Sequence, residues 1–249
     1  MEEKELAVLQ SLIDESNNIV FFGGAGVSTE SGIKDFRSVD GLYHEKYDYP
    51  PETILSHTFY VRHKDEFFRF YRDKLLIGDV APNAAHKALA RLEEMGKLKA
   101  VITQNIDGLH QKAGSKKVLE LHGTVMKNHC ERCNTKYDIS DSFSFDDLFK
   151  GQLCPVCEKC GGPIKPDVVL YEEGLDNATI NEAVKCISQA DMLIIGGTSL
   201  VVYPAAGLID YYRGNKLVLI NKDATARDSM ADYVFKGKIG EILGSLKLG

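Results

Sequence analysis

The sequence predicts an α/β fold: a Rossmann-like, doubly wound parallel sheet with helices on both faces, and a smaller domain formed by two insertions. Three observations support this prediction. Short apolar runs alternate with helical patterns, polar motifs follow several of the runs, and most cysteines cluster in one aperiodic segment. Alternating strands and helices are typical of parallel sheets with right-handed crossovers. A chain of 249 residues can form one such domain with insertions.

Five short apolar runs have the length and composition of buried strands. They are NIVFF at 18–22, KAVIT at 99–103, KVLEL at 117–121, DMLIIG at 191–196 and KLVLIN at 216–221, with DYVFK at 232–236 as a weaker sixth. Helical spacing of apolar residues predicts crossover helices over 82–96 and 177–190. The strands and helices therefore alternate along most of the chain.

Two segments interrupt this alternation. Residues 39–79 are rich in Tyr, Phe, His and charged residues, and residues 125–166 carry the cysteines with little periodicity. We expect both to be insertions that form a small helical and zinc-binding domain. The Rossmann-like domain is then predicted to consist of residues 1–38, 80–124 and 167–249.

The overall charge favours neither nucleic acid nor an anionic membrane as a direct partner. The formal net charge is −6 and the pI is near 5.7, whereas proteins that bind phosphate backbones usually carry a basic patch. The N-terminus is acidic and amphipathic, and no apolar stretch reaches about 18 residues. We expect a cytoplasmic protein that is monomeric.

Five of the six cysteines lie between residues 130 and 160. Such a cluster in a chain expected in the cytoplasm predicts a metal site rather than disulfides. Cys130 and Cys133 form the first Cys-x-x-Cys pair. The second is either Cys154 with Cys157, whose 20-residue separation from Cys133 fits the usual spacing, or Cys157 with Cys160, which two glycines follow. We favour the latter pair, which gives four thiolates and one structural zinc ion.

Polar motifs follow the first two predicted strands, at the edge where open α/β sheets bind ligands. GGAGVSTESG at 23–32 is predicted to be a nucleotide loop, although a plain glycine turn is the alternative. It is not the usual dehydrogenase fingerprint, because the third glycine would fall at Thr29. In TQNIDGLH at 103–110, the amides and carboxylate of Gln104, Asn105 and Asp107 suit ribose and a carboxamide, or else they cap a turn.

His122 follows the third predicted strand and precedes Gly123, so we expect its imidazole at the same edge. A general base and a packed core histidine are both open readings of this position. It is disfavoured as a zinc ligand because four thiolates can close the site without it. Thr198 and Ser199 follow the fourth strand, where their hydroxyls and amides suit phosphate, and Asn221 ends the fifth.

Taken together, these motifs resemble those of the sirtuins, NAD-dependent protein lysine deacylases, over almost the whole chain. The motifs are GAGVSTESGIKDFR at 24–37, TQNIDGLH, LHG, the paired Cys-x-x-Cys knuckles, GGPIKPDVVLY at 161–171, GTSLVVYPA at 197–205 and IN at 220–221. The compact bacterial members are the most similar. The resemblance also implies that the second cysteine knuckle is the one directly before GGPIKP.

The resemblance implies a role for each matching residue. His122 and Asn105 would be catalytic, and Val168, Val169 and Leu170 would pair as a strand with the substrate peptide. NAD would be contacted by Gly24, Ala25, Gly26, Thr29, Asp35, Phe36, Arg37, Gln104, Asn105, Ile106, Asp107, Thr198, Ser199, Asn221 and Lys222. Zinc would be held by Cys130, Cys133, Cys157 and Cys160.

The family reaction explains why these groups are gathered. Nicotinamide leaves NAD as the acyl oxygen attacks the anomeric carbon, and His122 would then take a ribose proton so that a hydroxyl attacks the alkylimidate. We therefore expect a deacetylase acting on acetyl-lysine proteins, with NAD as co-substrate and one structural zinc ion. Removal of other acyl groups and mono-ADP-ribosylation are alternatives. A zinc dehydrogenase and a non-enzymatic NAD sensor fit the motifs less well.

Three features of the sequence depart from the family pattern or bear on the acyl group. Lys34 replaces a usual proline, and YEE at 171–173 replaces an aromatic-Gly-Glu sequence, which is expected to reshape the peptide-binding loop. Tyr71 and Lys74 lie where the desuccinylating subgroup carries Tyr-x-x-Arg. Lysine lacks the bidentate fork of arginine, so we predict deacetylation over desuccinylation.

Overall fold

The computed structural model describes residues 3–36, 41–42, 47–76, 78 and 80–249. The strands within these ranges are β1 (Ile19–Gly23), β2 (Leu98–Thr103), β3 (Val118–Glu120), β4 (Gly123–Cys130), β5 (Ile164–Val168), β6 (Met192–Gly196), β7 (Leu217–Asn221) and β8 (Tyr233–Lys236). The α-helices are α1 (Glu3–Glu15), α2 (Pro51–Ile54), α3 (His57–Arg62), α4 (Lys64–Phe70), α5 (Ala84–Glu94), α6 (Leu109–Lys112), α7 (Phe145–Phe149), α8 (Asn177–Gln189) and α9 (Ile239–Gly244). None of them is long and apolar enough to cross a bilayer.

Six strands form one sheet in the order β3-β2-β1-β6-β7-β8. Every neighbouring pair in this sheet is parallel. The chain builds outward from β1 in one direction and from β6 in the other, so the order reverses between these two strands. Open α/β sheets bind ligands beyond the carboxyl ends of the strands at such a switch point. The predicted doubly wound parallel sheet is confirmed.

Helices cover both faces of the sheet, which explains why its central strands are uninterrupted apolar runs. Every residue of β1, β6 and β7 is buried. Because side chains alternate along a strand, Phe21 packs into one face cluster and Phe22 into the other. The first cluster contains residues of α1, α5 and α9, and the second contains residues of α8 and the 3₁₀ segment Ala205–Tyr211.

The crossover helices begin at side chains that cap them. The Asn83 side chain accepts a hydrogen bond from Ala85 N at 2.9 Å at the start of α5. Asp176 accepts from Thr179 N at 2.7 Å at the start of α8. Such caps satisfy amides that have no partner within the helix.

A third hydrophobic cluster joins the two segments predicted to be insertions. It contains buried residues of α2, α3 and α4 together with residues of β4, α7 and β5. β4 and β5 form a two-stranded antiparallel sheet, which the sequence did not indicate. The boundaries of the two predicted domains stay a prediction.

Candidate active site

The glycine loop after β1 packs directly on the loop after β6. Gly26 N donates to Gly197 O at 2.8 Å. A Cβ on Gly26 would lie 2.8 Å from that oxygen, and one on Gly24 would lie 2.9 Å from Thr198 Cβ. Real Cβ atoms do not approach so closely, so both glycines allow the two loops to meet at the switch point. Ala25 begins a 3₁₀ turn between them.

A buried polar network links this loop to the segment after β2. Asn105 Nδ2 donates to Ser28 Oγ at 3.1 Å, and Ser28 Oγ donates to Asp107 Oδ2 at 2.6 Å. Leu109 N donates to Asp107 Oδ1 at 2.9 Å. Ser28 is 1% exposed and Asn105 is 9% exposed, so little water competes for these bonds. The network fixes the Asn105 side chain with its amide oxygen available as an acceptor.

His122 is held in the tautomer that a general base requires. Its Nδ1 lies 2.9 Å from Gln104 O. Because a carbonyl oxygen can only accept, Nδ1 carries the proton and Nε2 carries the lone pair. Burial lowers the pKa of His122, and the backbone hydrogen bond offsets part of this effect. The imidazole is therefore neutral and able to accept a proton near pH 7.

The residue that follows β5, Val169, is hydrogen-bonded to the backbone of His122. Val169 N donates to His122 O at 2.9 Å. Gly123 has a φ of 73°, and a Cβ there would lie 1.9 Å from Asp167 O. Only glycine fits between β4 and β5 at this position. Val168 ends β5 and pairs with Gly123, and Leu170 is buried.

The ends of β2, β6 and β7 are joined by side-chain hydrogen bonds. Gln104 Nε2 donates to Thr198 Oγ1 at 3.0 Å. Thr198 N donates to Asn221 Oδ1 at 3.1 Å, and Asn221 Nδ2 donates to Thr198 O at 3.0 Å. Ser199 and Lys222 are exposed beside them. Predicted residues from three strands thus lie at one edge of the sheet.

Four other residues predicted to contact NAD lie within the described part of the chain. Thr29 Oγ1 donates to Gly26 O at 3.0 Å. The Asp35 carbonyl accepts from Leu42 N at 2.9 Å. Phe36 and Ile106 are partly buried against the third hydrophobic cluster. Arg37 lies outside the described residues.

The structure brings the sulfurs of four predicted metal ligands within 4.8 Å of one another. They are Cys130, Cys133, Cys157 and Cys160. Such a set of thiolates suits the tetrahedral coordination of a structural zinc ion. Gly162 leaves room for it, because a Cβ there would lie 3.0 Å from Cys130 Sγ and 3.2 Å from Cys160 Sγ.

Cys154, Cys186 and His122 lie outside this cluster. Cys154 Sγ donates to Asp65 Oδ1 at 3.3 Å. The second pair of predicted ligands is therefore Cys157 with Cys160, and not Cys154 with Cys157, which the spacing alone left open. His122 is absent from the metal-binding groups of the described residues. The four gathered ligand atoms are therefore all cysteine sulfurs, and His122 is not among them.

Comparison with known proteins identifies the family. A model of the Sir2 family matches residues 24–204. The chain belongs to the Sir2 family. A relative from Clostridium perfringens called NAD-dependent protein deacetylase is 60% identical over 241 residues, which cover 96% of each chain.

Solved Sir2 structures have the same fold. One described as Sir2-p53 peptide-NAD+ has a TM-score of 0.84 and 39% identity, covering 98% of this chain and 96% of that one. Another, described as Sir2 bound to acetylated peptide, has a TM-score of 0.84 and 38% identity over the same shares of the two chains.

Two groups at the site of this Sir2 chain were not predicted from the sequence. Ser28 lies in the motif that we read as a nucleotide loop, but its partners Asn105 and Asp107 are distant in sequence. Asn83 Nδ2 donates to Val27 O at 2.7 Å and to Ser31 Oγ at 3.1 Å, which ties α5 to the loop. The N-cap position of Asn83 was the only signal for this residue.

Two histidines are buried beneath the Sir2 site. His86 and His110 have ring centroids 4.7 Å apart, and neither is more than 1% exposed. Burial lowers the pKa of His86 to about 4 and that of His110 to about 3. Both are therefore neutral near pH 7.

Proposed function

We propose that the chain is an NAD-dependent protein lysine deacetylase, which transfers the acetyl group of acetyl-lysine to ADP-ribose and releases nicotinamide. The observation that carries the proposal is the neutral His122 imidazole, which the Gln104 carbonyl holds through Nδ1 at 2.9 Å beside the switch point of a Sir2 fold. The relative from Clostridium perfringens called NAD-dependent protein deacetylase supports the same activity.

NAD is consumed in this reaction, since its ribose accepts the acetyl group as nicotinamide leaves. Asn105 and Asp107 are proposed to orient the nicotinamide ribose and the carboxamide, because Ser28 fixes both side chains. Thr198, Ser199 and the amides of the glycine loop are proposed to bind the phosphates. Asn221 and Lys222 would contact the adenosine portion.

His122 is proposed to act as the general base on a ribose hydroxyl. Its Nε2 carries the lone pair, and burial keeps the pKa below the usual value of about 6.5. Proton removal by a positioned base contributes about 10²- to 10⁴-fold to rate. Asn105 would assist by accepting a hydrogen bond from the sugar or from an ordered water.

The acetyl-lysine peptide is proposed to lie along Val168, Val169 and Leu170 as an added strand. This mode reads mainly backbone, so we expect broad sequence tolerance. The solved structure described as Sir2 bound to acetylated peptide supports a protein substrate. Asp35 and Phe36 are proposed to line the space between peptide and nicotinamide, and Arg37 is proposed to contact NAD.

The four cysteines are proposed to hold one zinc ion whose contribution is structural. A closed thiolate site has no open position for substrate. Thiolates kept for a metal suit a reducing compartment, and we propose a cytoplasmic location. We also propose that the protein acts as a monomer and does not bind nucleic acid directly.

Incubation with NAD and an acetyl-lysine peptide tests the proposal. We expect nicotinamide, deacetylated peptide and acetylated ADP-ribose in equal amounts, measured by mass spectrometry. Omission of NAD is the control and should stop all three. Release of free acetate without consumption of NAD would contradict the proposal.

Acetyl is proposed to be preferred over succinyl. The Tyr71 side chain is 1% exposed and stacks on Phe67 with centroids 5.8 Å apart, and Lys74 Nζ lies 3.1 Å from Asp73 Oδ2. Lysine also lacks the planar fork that binds a carboxylate at two points. Acetyl and succinyl forms of one peptide should be compared side by side, and faster removal of succinyl would contradict this preference.

A further inference from the structure

Tyr171 directly follows Val168–Leu170, the segment proposed to bind the peptide, and it is hydrogen-bonded to the backbone at the start of α3. Tyr171 N donates to Leu55 O at 2.9 Å, and His57 N donates to Tyr171 O at 3.0 Å. These backbone bonds connect the end of the segment Val168–Leu170 to residues of the third hydrophobic cluster. The position of the peptide-binding segment Val168–Leu170 therefore depends on α3 as well as on β4.

Glu172 adds a side-chain bond at the same junction. Thr58 N donates to Glu172 Oε2 at 2.8 Å. Thr58 N is the second amide of α3, which has no acceptor within the helix. The hydrogen bond to Thr58 lowers the pKa of the Glu172 carboxyl, which is ionised near pH 7. We call this contact the Glu172 cap.

The backbone of Glu172 lies in the left-handed region, with a φ of 76°. This conformation is unfavourable for glutamate and suits glycine. Glycine would meet the backbone requirement but could not reach Thr58 N. The residue present thus keeps an unfavourable backbone conformation together with a carboxylate that holds α3.

The neighbouring carboxylate is bound to the peptide segment itself. Glu173 Oε2 accepts from Leu170 N at 2.9 Å, and Glu173 Oε1 lies 2.9 Å from His57 Nδ1. Lys165 Nζ donates to Val168 O at 3.0 Å. Glu173 therefore connects Leu170 to the first residue of α3, while Lys165 holds Val168 and lies 3.4 Å from Glu173 Oε2.

We propose that Glu172 is a positioning residue for the acyl-lysine peptide, because the Glu172 cap fixes Val168–Leu170 relative to α3 before the peptide binds. This inference rests on the proposed function. A segment already held in its binding conformation loses less entropy on binding, which lowers KM for the peptide without altering the chemical step.

Three substitutions separate the carboxylate from the backbone. Glu172→Gln keeps an oxygen that can accept from Thr58 N, Glu172→Ala removes the acceptor, and Glu172→Gly removes it while relieving the backbone. We expect KM for the peptide to rise about fivefold in the alanine and glycine variants, the factor for one lost hydrogen bond. The glutamine variant should stay within about twofold of wild type, since its acceptor remains.

A change in KM for the peptide alone separates a positioning role from a general loss of structure, which would also change kcat and KM for NAD. kcat and KM for NAD should stay constant in all three variants, because His122 and the glycine loop are untouched. Amide exchange over residues 168–174, measured without NAD or peptide, should be faster in the alanine and glycine variants only. Wild-type KM in the glycine variant, or an alanine-like KM in the glutamine variant, would overturn the proposal.

The two proposals fail in different ways. Absence of turnover in wild-type protein would contradict the deacetylase function, and the cap would then be judged by amide exchange alone. Unchanged exchange in Glu172→Ala would overturn the cap even if wild-type protein is fully active. Faster exchange with unchanged peptide KM would overturn its positioning role.

Discussion

Replacement of Gly123 by alanine tests how the backbone holds His122. An alanine Cβ would lie 1.9 Å from Asp167 O and 3.2 Å from Val168 Cα, whereas real Cβ atoms essentially never come within 3.0 Å. β4 and β5 would have to separate by about 1 Å or more to relieve this overlap. That movement would weaken the hydrogen bond from Val169 N to His122 O.

Gly151 provides a matched control for this substitution. Both glycines have a φ of 73°, but a Cβ on Gly151 would have no neighbour within 4 Å. Gly151→Ala therefore measures only the cost of a left-handed alanine, about 1 to 2 kcal/mol. Gly123→Ala adds the overlap and one weakened hydrogen bond worth about 1 kcal/mol, so we expect about 3 kcal/mol or more in total.

Thermal unfolding and peptide turnover together measure the effect. A loss of about 3 kcal/mol should lower Tm by roughly 6 to 12 °C in a chain of this size. kcat/KM should fall about 100-fold in Gly123→Ala, because a displacement near 1 Å misplaces the base. Gly151→Ala should keep wild-type turnover. Equal Tm and equal turnover in the two variants would refute the reasoning.

Three further predictions concern the cysteines and the histidines. Cys160→Ser should lose zinc and unfold, because metal binding in such sites contributes about 10 kcal/mol or more to folding, whereas Cys154→Ser should keep both zinc and fold; metal analysis showing the reverse would move the ligand assignment. Turnover should decline only below about pH 6.5, as His122 takes a proton at its lowered pKa; a decline centred above pH 7 would contradict this. Stability in urea should fall as the pH is lowered from about 6.5 towards 4, because in this range both histidines bind protons in the unfolded chain, whereas His86 and His110 stay largely neutral when buried in the folded protein. Constant stability over that range would show that these pKa values are not lowered.

The strands of the main sheet could be predicted because burial on both faces leaves a local signal. β1, β6 and β7 are continuous apolar runs, and their ends differ from the predicted ones by a residue or so. β4 and β5 carry no such signal. β4 is GTVMKNHC, and β5 contains Pro166. Each of these two strands forms only by pairing with the other and packing in the third hydrophobic cluster, and the local sequence reveals neither contact.

The candidate site was predictable where residues follow strand ends. Gln104, His122 and Asn221 fall at positions that the topology brings to one edge. Contacts between distant segments were not predictable. Ser28 acquires its partners only when the loops after β1 and β2 meet, and Glu172 acquires Thr58 only when α3 packs beside the peptide segment.

Comparison of NAD binding with turnover in His122→Ala tests most directly the claim that this imidazole acts as a base on the sugar, apart from the zinc site. We expect titration calorimetry to give NAD affinity within about threefold of wild type, one bound zinc ion, and deacetylation reduced at least about 100-fold. Retained deacetylation, or loss of zinc from this variant, would contradict the account.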